Sequence, residues 1–179
     1  CGNPQPIADH GDAALILFTS GTTGDPKGVV HTVTSLSERI ALNRRFIAPE
    51  TLARTLCILP THFGHGLIGN CLTPLAAGGD LFLMQDAPLK VAGGLGVIVA
   101  DHAISFMSSV PSFWKLALKA SKPPHRQTLR QVSVGSAPVA AELVRRIADW
   151  SGTDDVRNMY GITETANWIA GGSRRDQPR

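Results

Sequence analysis

Charge is sparse in this chain of 179 residues: Asp, Glu, Lys and Arg together make up 17%, well under the usual quarter, while apolar residues reach 43%. That balance excludes a disordered tail and describes a piece able to bury one sizeable core. A net charge of +3, spread over scattered basic residues, is too small to argue for nucleic acid. Short pairs such as Arg44-Arg45, Arg145-Arg146 and Arg174-Arg175 read as surface solvation. Cysteine is limited to three, an odd number without metal-ligand spacing. Cys57 and Cys71 stand in apolar surroundings and are expected as buried free thiols, the pattern of a reducing compartment. No apolar run approaches a membrane span and no secretory leader is visible, so the cytoplasm is the default expectation. An initiator methionine is missing too, and the polar end Gly171–Arg179 closes on no recognisable element. An excised fragment is expected.

What is present alternates short apolar runs with amphipathic stretches. Strands are expected at Ala13–Phe18, Thr55–Leu59, Asp80–Met84, Ile104–Ser108, Val132–Val134 and Val156–Met159. Helices are expected at Ser35–Phe46, Ser112–Ala120 and Ala140–Trp150, with a less defined one inside Leu89–His102, where Gly93, Gly94 and Gly96 weaken the pattern. In Ala140–Trp150 the apolar Leu143, Val144, Ile147 and Ala148 fall on one side, opposite Arg145, Arg146 and Asp149. Strands alternating with helices predict an α/β domain with a mainly parallel sheet flanked by helices.

The densest chemistry sits behind the first strand, in Thr19-Ser20-Gly21-Thr22-Thr23-Gly24-Asp25-Pro26-Lys27-Gly28. Gly21 and Gly24 let the backbone turn and approach a ligand without Cβ interference. Exposed N–H groups, neighbouring hydroxyls and the Lys27 ammonium together suit anionic oxygens, phosphate best of all. The loop is not a Walker A motif, since Lys27 follows Pro26 and precedes Gly28 instead of standing between a glycine and a hydroxyl residue. A GxGxxG, a GxSxG elbow and an HExxH are likewise absent.

These residues resemble the phosphate-loop signature of the adenylate-forming superfamily, which contains acyl-CoA synthetases, peptide-synthetase adenylation domains and firefly-type luciferases. Further segments follow in that family's order: Leu59–Leu67 is similar to the border of the acyl pocket, Ser133–Leu143 to a Gly-Gly-Ala-Pro stretch, and Met159–Thr165 to a Tyr-Gly-x-Thr-Glu motif. The likeness runs from about Asp12 to Gly172. It implies that the chain is part of the large domain, a partial AMP-binding domain over 1–179. The ribose-binding aspartate, the hinge and the small C-terminal domain with its catalytic lysine have no counterpart here, nor has the N-terminal portion of the large domain. The chain alone is therefore expected to be inactive.

By that resemblance, Thr19, Ser20, Gly21, Thr22, Thr23, Gly24 and Lys27 surround the phosphates of ATP. Gly135, Ser136, Ala137 and Pro138 line the adenine slot, and Tyr160 beside Gly161 packs on adenine. Thr163 reaches the phosphates, while Glu164 helps hold Mg²⁺. Lys27, Thr163 and Glu164 are the implied catalytic set. His62, Phe63, His65 and Gly66 are expected as wall and gate of the acyl pocket, with plain packing or surface placement as the alternative; a His62–His65 metal pair lacks a nearby third ligand. Phe63 stands where many acyl-CoA synthetases carry histidine. His65 stands near the place where amino-acid-activating domains carry the aspartate that meets an ammonium, which argues against an α-amino acid substrate. The implied activity is activation of a small carboxylic acid as acyl adenylate, followed by transfer to CoA or to the phosphopantetheine of an acyl-carrier protein. Adenylation of amino or aryl acids in a peptide-synthetase-type system, luciferase-type oxygenation and a non-catalytic nucleotide-binding module are the alternatives. His31 is expected to be structural or on the surface, where a helix begins.

Overall fold

The computed structural model describes residues 12–19, 26–84 and 86–173. Its main sheet has six strands, in order along the sheet β4 (Asp80–Leu83), β3 (Arg54–Cys57), β5 (Phe106–Ser109), β6 (Gln131–Gly135), β7 (Val156–Gly161) and β8 (Trp168–Ser173). The first five are parallel, and β8 returns antiparallel to β7. The predicted α/β class and mainly parallel sheet are therefore present, with the ends of the predicted strands shifted by at most two residues.

Side chains alternate across the strands, so neighbours on β5 serve opposite faces. Met107 packs with Leu56, Val132, Val134 and Val156 under α4 (Pro88–Asp101), α5 (Pro111–Ala120) and α6 (Ala141–Ser151), in a core that includes Trp114, Ile147 and Trp150. Phe106 packs on the other side with Ile47, Leu52 and Trp168. The expected weakness of α4 is offset by burial of Val91, Ala92, Leu95, Val99 and Ala100. Gly96 has a reason of its own there: a Cβ would collide with the Lys122 carbonyl oxygen, so the glycine lets the helix lie against that backbone. Helix α6 ends at Gly152, whose φ of +74° is the left-handed conformation that terminates helices.

The first strand departs from the expectation of a single sheet. β1 (Ala13–Thr19) pairs only with β2 (Lys27–Thr32), antiparallel, in a separate hairpin. His31, expected where a helix begins, lies instead in this second strand. The helix α1 (Val33–Phe46) begins two residues later, where Thr32 and Ser35 cap each other's backbone N–H groups. His31 lies inside β2, buried, and its Nε2 has no hydrogen-bond partner among the described residues. Leu17 packs with Ile68 and Ala166, which seats the hairpin against the far end of the main sheet.

Between β3 and β4 the chain forms a π-helix, His65–Leu72, that runs directly into the short α3 (Thr73–Ala76). Close approach shapes it. A Cβ at Gly66 would collide with the Pro60 carbonyl oxygen, and one at Gly69 would stand 2.6 Å from Asn167 Nδ2 and 2.9 Å from the Trp168 ring. Cys71 on this helix places its Sγ 3.6 Å from Cys57 Sγ, both residues buried and unbridged as the sequence suggested. Burial, aided by Cys71, pushes the Cys57 thiol up to about 12, and burial raises Cys71 as well. Both therefore stay protonated near neutral pH, where a thiol is a poor nucleophile. Iodoacetamide at pH 8 is expected to label Cys57 and Cys71 only in denaturant. Peptide mass spectrometry showing fast labelling of the folded protein would contradict this burial.

Candidate functional site

Four parallel strands end on one side of the sheet, and the segments that follow them enclose a cavity of about 430 Å³. Leu59, Pro60, Phe63 and Gly64 come from the chain after β3, and His65 and Gly66 open the π-helix. Val110 follows β5, and Ser136 follows β6. Met159 and Gly161 end β7, and Ile162, Thr163, Ala166, Asn167 and Trp168 complete the wall. The crevice outside the carboxyl ends of parallel strands is where open α/β sheets bind ligands, because loops from separate strands converge there.

Two wall residues hold a positive φ without being glycine: Ser136 at φ +64° and Ala166 at φ +65°. Such conformations cost on the order of 1 kcal/mol for a residue with a Cβ and cluster at ligand sites. Ala166 is fixed by the turn Thr163–Thr165, in which the carbonyls of Ile162 (2.9 Å) and Asn167 (3.0 Å) share the one proton of the Thr165 hydroxyl. Arg39 of α1 ties the next residue down by donating to the Trp168 carbonyl at 2.7 Å.

Among the described residues of the wall, His65 is the one titratable side chain, and none is a carboxylate, lysine or arginine. Its ring edges onto Trp168, with centroids 5.5 Å apart, and its two nitrogens face Ser108 Oγ (2.6 Å) and Ser136 Oγ (2.8 Å). Burial pushes its pKa from 6.5 down to about 4. A histidine depressed on folding binds fewer protons than the unfolded chain between those values, so stability falls as pH drops from about 6.5 to about 4. The change is bounded at roughly 3 kcal/mol, and solvent screening lowers it. Urea unfolding at pH 7 and pH 5 is expected to show a smaller pH difference in His65→Gln than in the wild type. An equal difference in both would contradict the burial of this ring.

The predicted residues fall into three groups. Phe63, His65, Gly66, Ser136, Gly161 and Thr163 line the cavity together. His62 does not: it is exposed and stacks on Phe63 at 4.2 Å, an outward placement that the shared spacing of His62 and His65 hid. Gly135, Ala137, Pro138, Tyr160 and Glu164 stand around the same strand ends but outside the wall. Among the described residues no group of His, Cys, Asp and Glu could hold a metal ion by itself. Ser20, Gly21, Thr22, Thr23 and Gly24 lie outside the described residues. Their neighbours Thr19 and Lys27 face each other at the end of the hairpin, Thr19 Oγ1 donating to the Lys27 carbonyl at 3.4 Å. β2 also touches the Thr163–Thr165 turn, which joins the hairpin to the crevice.

Sequence reasoning missed Ser108, Val110, Ala166, Asn167 and Trp168. The last three follow the Met159–Thr165 segment directly, so proximity to a motif was a usable signal. Ser108 offered none, since it reads as an ordinary strand residue.

Three groups fit a nucleotide and its metal. Tyr160 is 61% exposed at the end of β7, with a ring face free for stacking. Glu164 on its turn and Lys27 on β2 are exposed and have no ion pair or hydrogen bond from their side chains among the described residues. An open aromatic face, a free carboxylate and a free ammonium match adenine, Mg²⁺ and phosphate in kind.

Comparison with known proteins shows the family. A family model described as AMP-binding enzyme matches residues 2–179. Tyrocidine synthase 3 of Brevibacillus parabrevis is 29% identical over 164 residues, covering 92% of this chain and 2% of that protein. Acyl-CoA synthetase ALT10 of Alternaria alternata is 30% identical over 161 residues, covering 86% of this chain and 26% of that protein. Among solved structures, a malonyl-CoA ligase with methylmalonyl-CoA and AMP bound superposes with a TM-score of 0.78 at 26% identity, over 98% of this chain and 38% of that one. The chain thus spans a small part of its curated relatives and about a third of its structural neighbours. With a family match along nearly its whole length, the chain belongs to the AMP-binding enzyme family.

Proposed function

We propose that this chain contributes the nucleotide and acid sites of an AMP-forming ligase, which activates a small carboxylic acid as acyl adenylate and passes it to a thiol. The single observation carrying this reading is the crevice itself. One cavity, whose described wall residues carry no charge, opens at the strand ends that also present Tyr160, Thr163 and Glu164. In the proposed reaction a carboxylate oxygen attacks the α-phosphorus of ATP, and the bond to pyrophosphate breaks. Mg²⁺, when bound, supplies charge neutralisation on the phosphates.

The chain's own share is positioning and charge. Tyr160 would stack on adenine, with Gly135, Ala137, Pro138 and the backbone of Ser136 alongside, which leaves the Ser136 side chain to the cavity wall. Lys27, Thr163 and the hydroxyls and N–H groups from Thr19 to Gly24 would receive phosphate oxygens. Glu164 would give the metal its protein oxygen. Phe63, His65 and Gly66 would bound the acid's tail.

The uncharged residues described on the wall favour an acid without an ammonium. Burying a cation beside no carboxylate costs several kcal/mol. CoA or a carrier-protein phosphopantetheine is the proposed acceptor, in keeping with relatives named as acyl-CoA synthetase and malonyl-CoA ligase. Peptide-synthetase relatives keep amino- and aryl-acid activation as the second reading. Carboxylate-dependent ATP–pyrophosphate exchange by the full reading frame, run over alkyl, aryl and amino acids, tests both. Exchange with acids lacking an ammonium is expected. Exchange with α-amino acids alone would move the assignment to the second reading, and ATP binding without exchange would leave a non-catalytic module.

A further inference from the structure

Ser108, His65 and Ser136 form a chain whose direction follows from burial. Ser108 at the end of β5 is fully buried, and His65 Nε2, 2.6 Å away, is the one partner of its hydroxyl among the described residues. The hydroxyl proton must go to Nε2, or it is left without an acceptor. Nε2 then accepts, which puts the ring proton on Nδ1, and Nδ1–H donates to Ser136 Oγ at 2.8 Å. Ser136 Oγ is an acceptor within the chain and keeps its own O–H for donation elsewhere.

The reverse direction has Ser136 donating to Nδ1 and Nε2–H donating to Ser108. It strands the buried Ser108 proton, a penalty of roughly tenfold to a hundredfold in population. Ser136 pays no such penalty in either direction, because it is exposed and lines the cavity. A charged ring would also strand the Ser108 proton, since both of its nitrogens would donate. Burial keeps the ring neutral near pH 7.

Ser136 has a second peculiarity. Its φ of +64° is a conformation that glycine adopts without strain, yet the position carries a hydroxymethyl group. The side chain is retained where the backbone would be easier without it, and it points its oxygen at His65.

We propose that Ser136 is a specificity-determining hydrogen-bond donor in the cavity, oriented by Ser108 and His65, and that it selects acids bearing an uncharged oxygen acceptor on the tail. The inference rests on reading this cavity as the acid's pocket. An uncharged acceptor is specified because neutral donors such as the Ser136 hydroxyl do not offset a second buried charge, and the described residues of the wall offer no counter-ion. Ser108 and His65 are positioning residues: they set which way the Ser136 proton points.

Two measurements on the full reading frame test it. ¹⁵N NMR of histidine-labelled protein at pH 7, with His65 assigned by difference from His65→Gln, is expected to show the Nδ1–H tautomer. Ser108→Ala is expected to lose that single tautomer. An Nε2–H tautomer in the wild type would overturn the chain, whatever the enzyme does.

The second uses ether and alkane acids matched in length: methoxyacetate with butanoate, 3-methoxypropanoate with pentanoate, and 4-methoxybutanoate with hexanoate. In at least one pair the ether acid is expected to have the lower KM, by roughly threefold to tenfold. Ser136→Gly, which suits the left-handed backbone, is expected to erase the preference. A preference absent from the wild type, or unchanged in Ser136→Gly, would overturn the donor role. No exchange with any acid would overturn the adenylation reading, and the selectivity with it, while leaving the tautomer result standing.

Discussion

Glu164→Gln is expected to lower carboxylate-dependent ATP–pyrophosphate exchange by on the order of 100-fold at limiting Mg²⁺. The residue is exposed on the Thr163–Thr165 turn, and its carboxylate makes no hydrogen bond or ion pair among the described residues. A carboxylate left uncommitted at the mouth of a proposed phosphate site is an oxygen available to a hard cation. Glutamine keeps the size and removes the charge, and loss of one charge-stabilising group at a reacting centre costs about 10²–10³ in rate. Excess Mg²⁺ is expected to restore part of the activity. Because the substitution touches surface only, unfolding in urea should move by no more than about 0.5 kcal/mol. Wild-type exchange by Glu164→Gln at limiting Mg²⁺ would remove Glu164 from the metal site.

The largest structural effect is expected from Gly64→Ala. A Cβ there would collide with the Ala166 carbonyl oxygen and stand 3.2 Å from Leu17 Cδ1, where the hairpin, the post-β3 segment and the β7–β8 turn meet. Ala166 cannot yield easily, since its backbone already holds a positive φ. Overpacking of this kind costs roughly 1–3 kcal/mol, and here it also displaces two walls of the cavity, so exchange should fall with stability. Gly93→Ala in α4 is the control. Nothing lies within 4 Å of a Cβ at that position, and alanine in a helix interior is favoured over glycine by about 1 kcal/mol. Urea midpoints are expected to drop for Gly64→Ala and rise for Gly93→Ala. Wild-type stability in Gly64→Ala would show that the hairpin does not dock as described.

Much of this architecture was legible in the sequence because its signals were local. Leu143, Ile147 and Ala148 at helical spacing predicted α6, and the short apolar runs predicted β3 to β7 to within a few residues. The hairpin was harder. β2 is split between Gly28 and a histidine, and its strand character depends on pairing with β1 across the loop. The π-helix was equally hidden: Gly66 and Gly69 serve close approach to Pro60 and to Asn167 and Trp168, contacts that no local spacing reveals. β8 has Gly171 and Gly172 in a stretch that looked like a polar end, and Met159 fills the space that Gly171 leaves.

The site divides in the same way. Tyr160, Thr163 and Glu164 stand beside one another in sequence, so a motif could carry them. Ser108 reaches His65 across 43 residues, and only the parallel pairing of β5 with its neighbours brings the two together. A contact between a strand end and a helix start leaves no spacing to read.

The central proposal is that a single crevice at these strand ends holds adenine and acid at once. The most direct measurement is a crystal structure of the full reading frame with a non-hydrolysable acyl-sulfamoyl adenosine whose acid is an exchange-competent one. The account predicts adenine on the face of Tyr160 beside Gly135–Pro138, and the acyl group in the cavity between Phe63, His65 and Trp168. An acyl group bound outside that cavity, or adenine away from Tyr160, would contradict it.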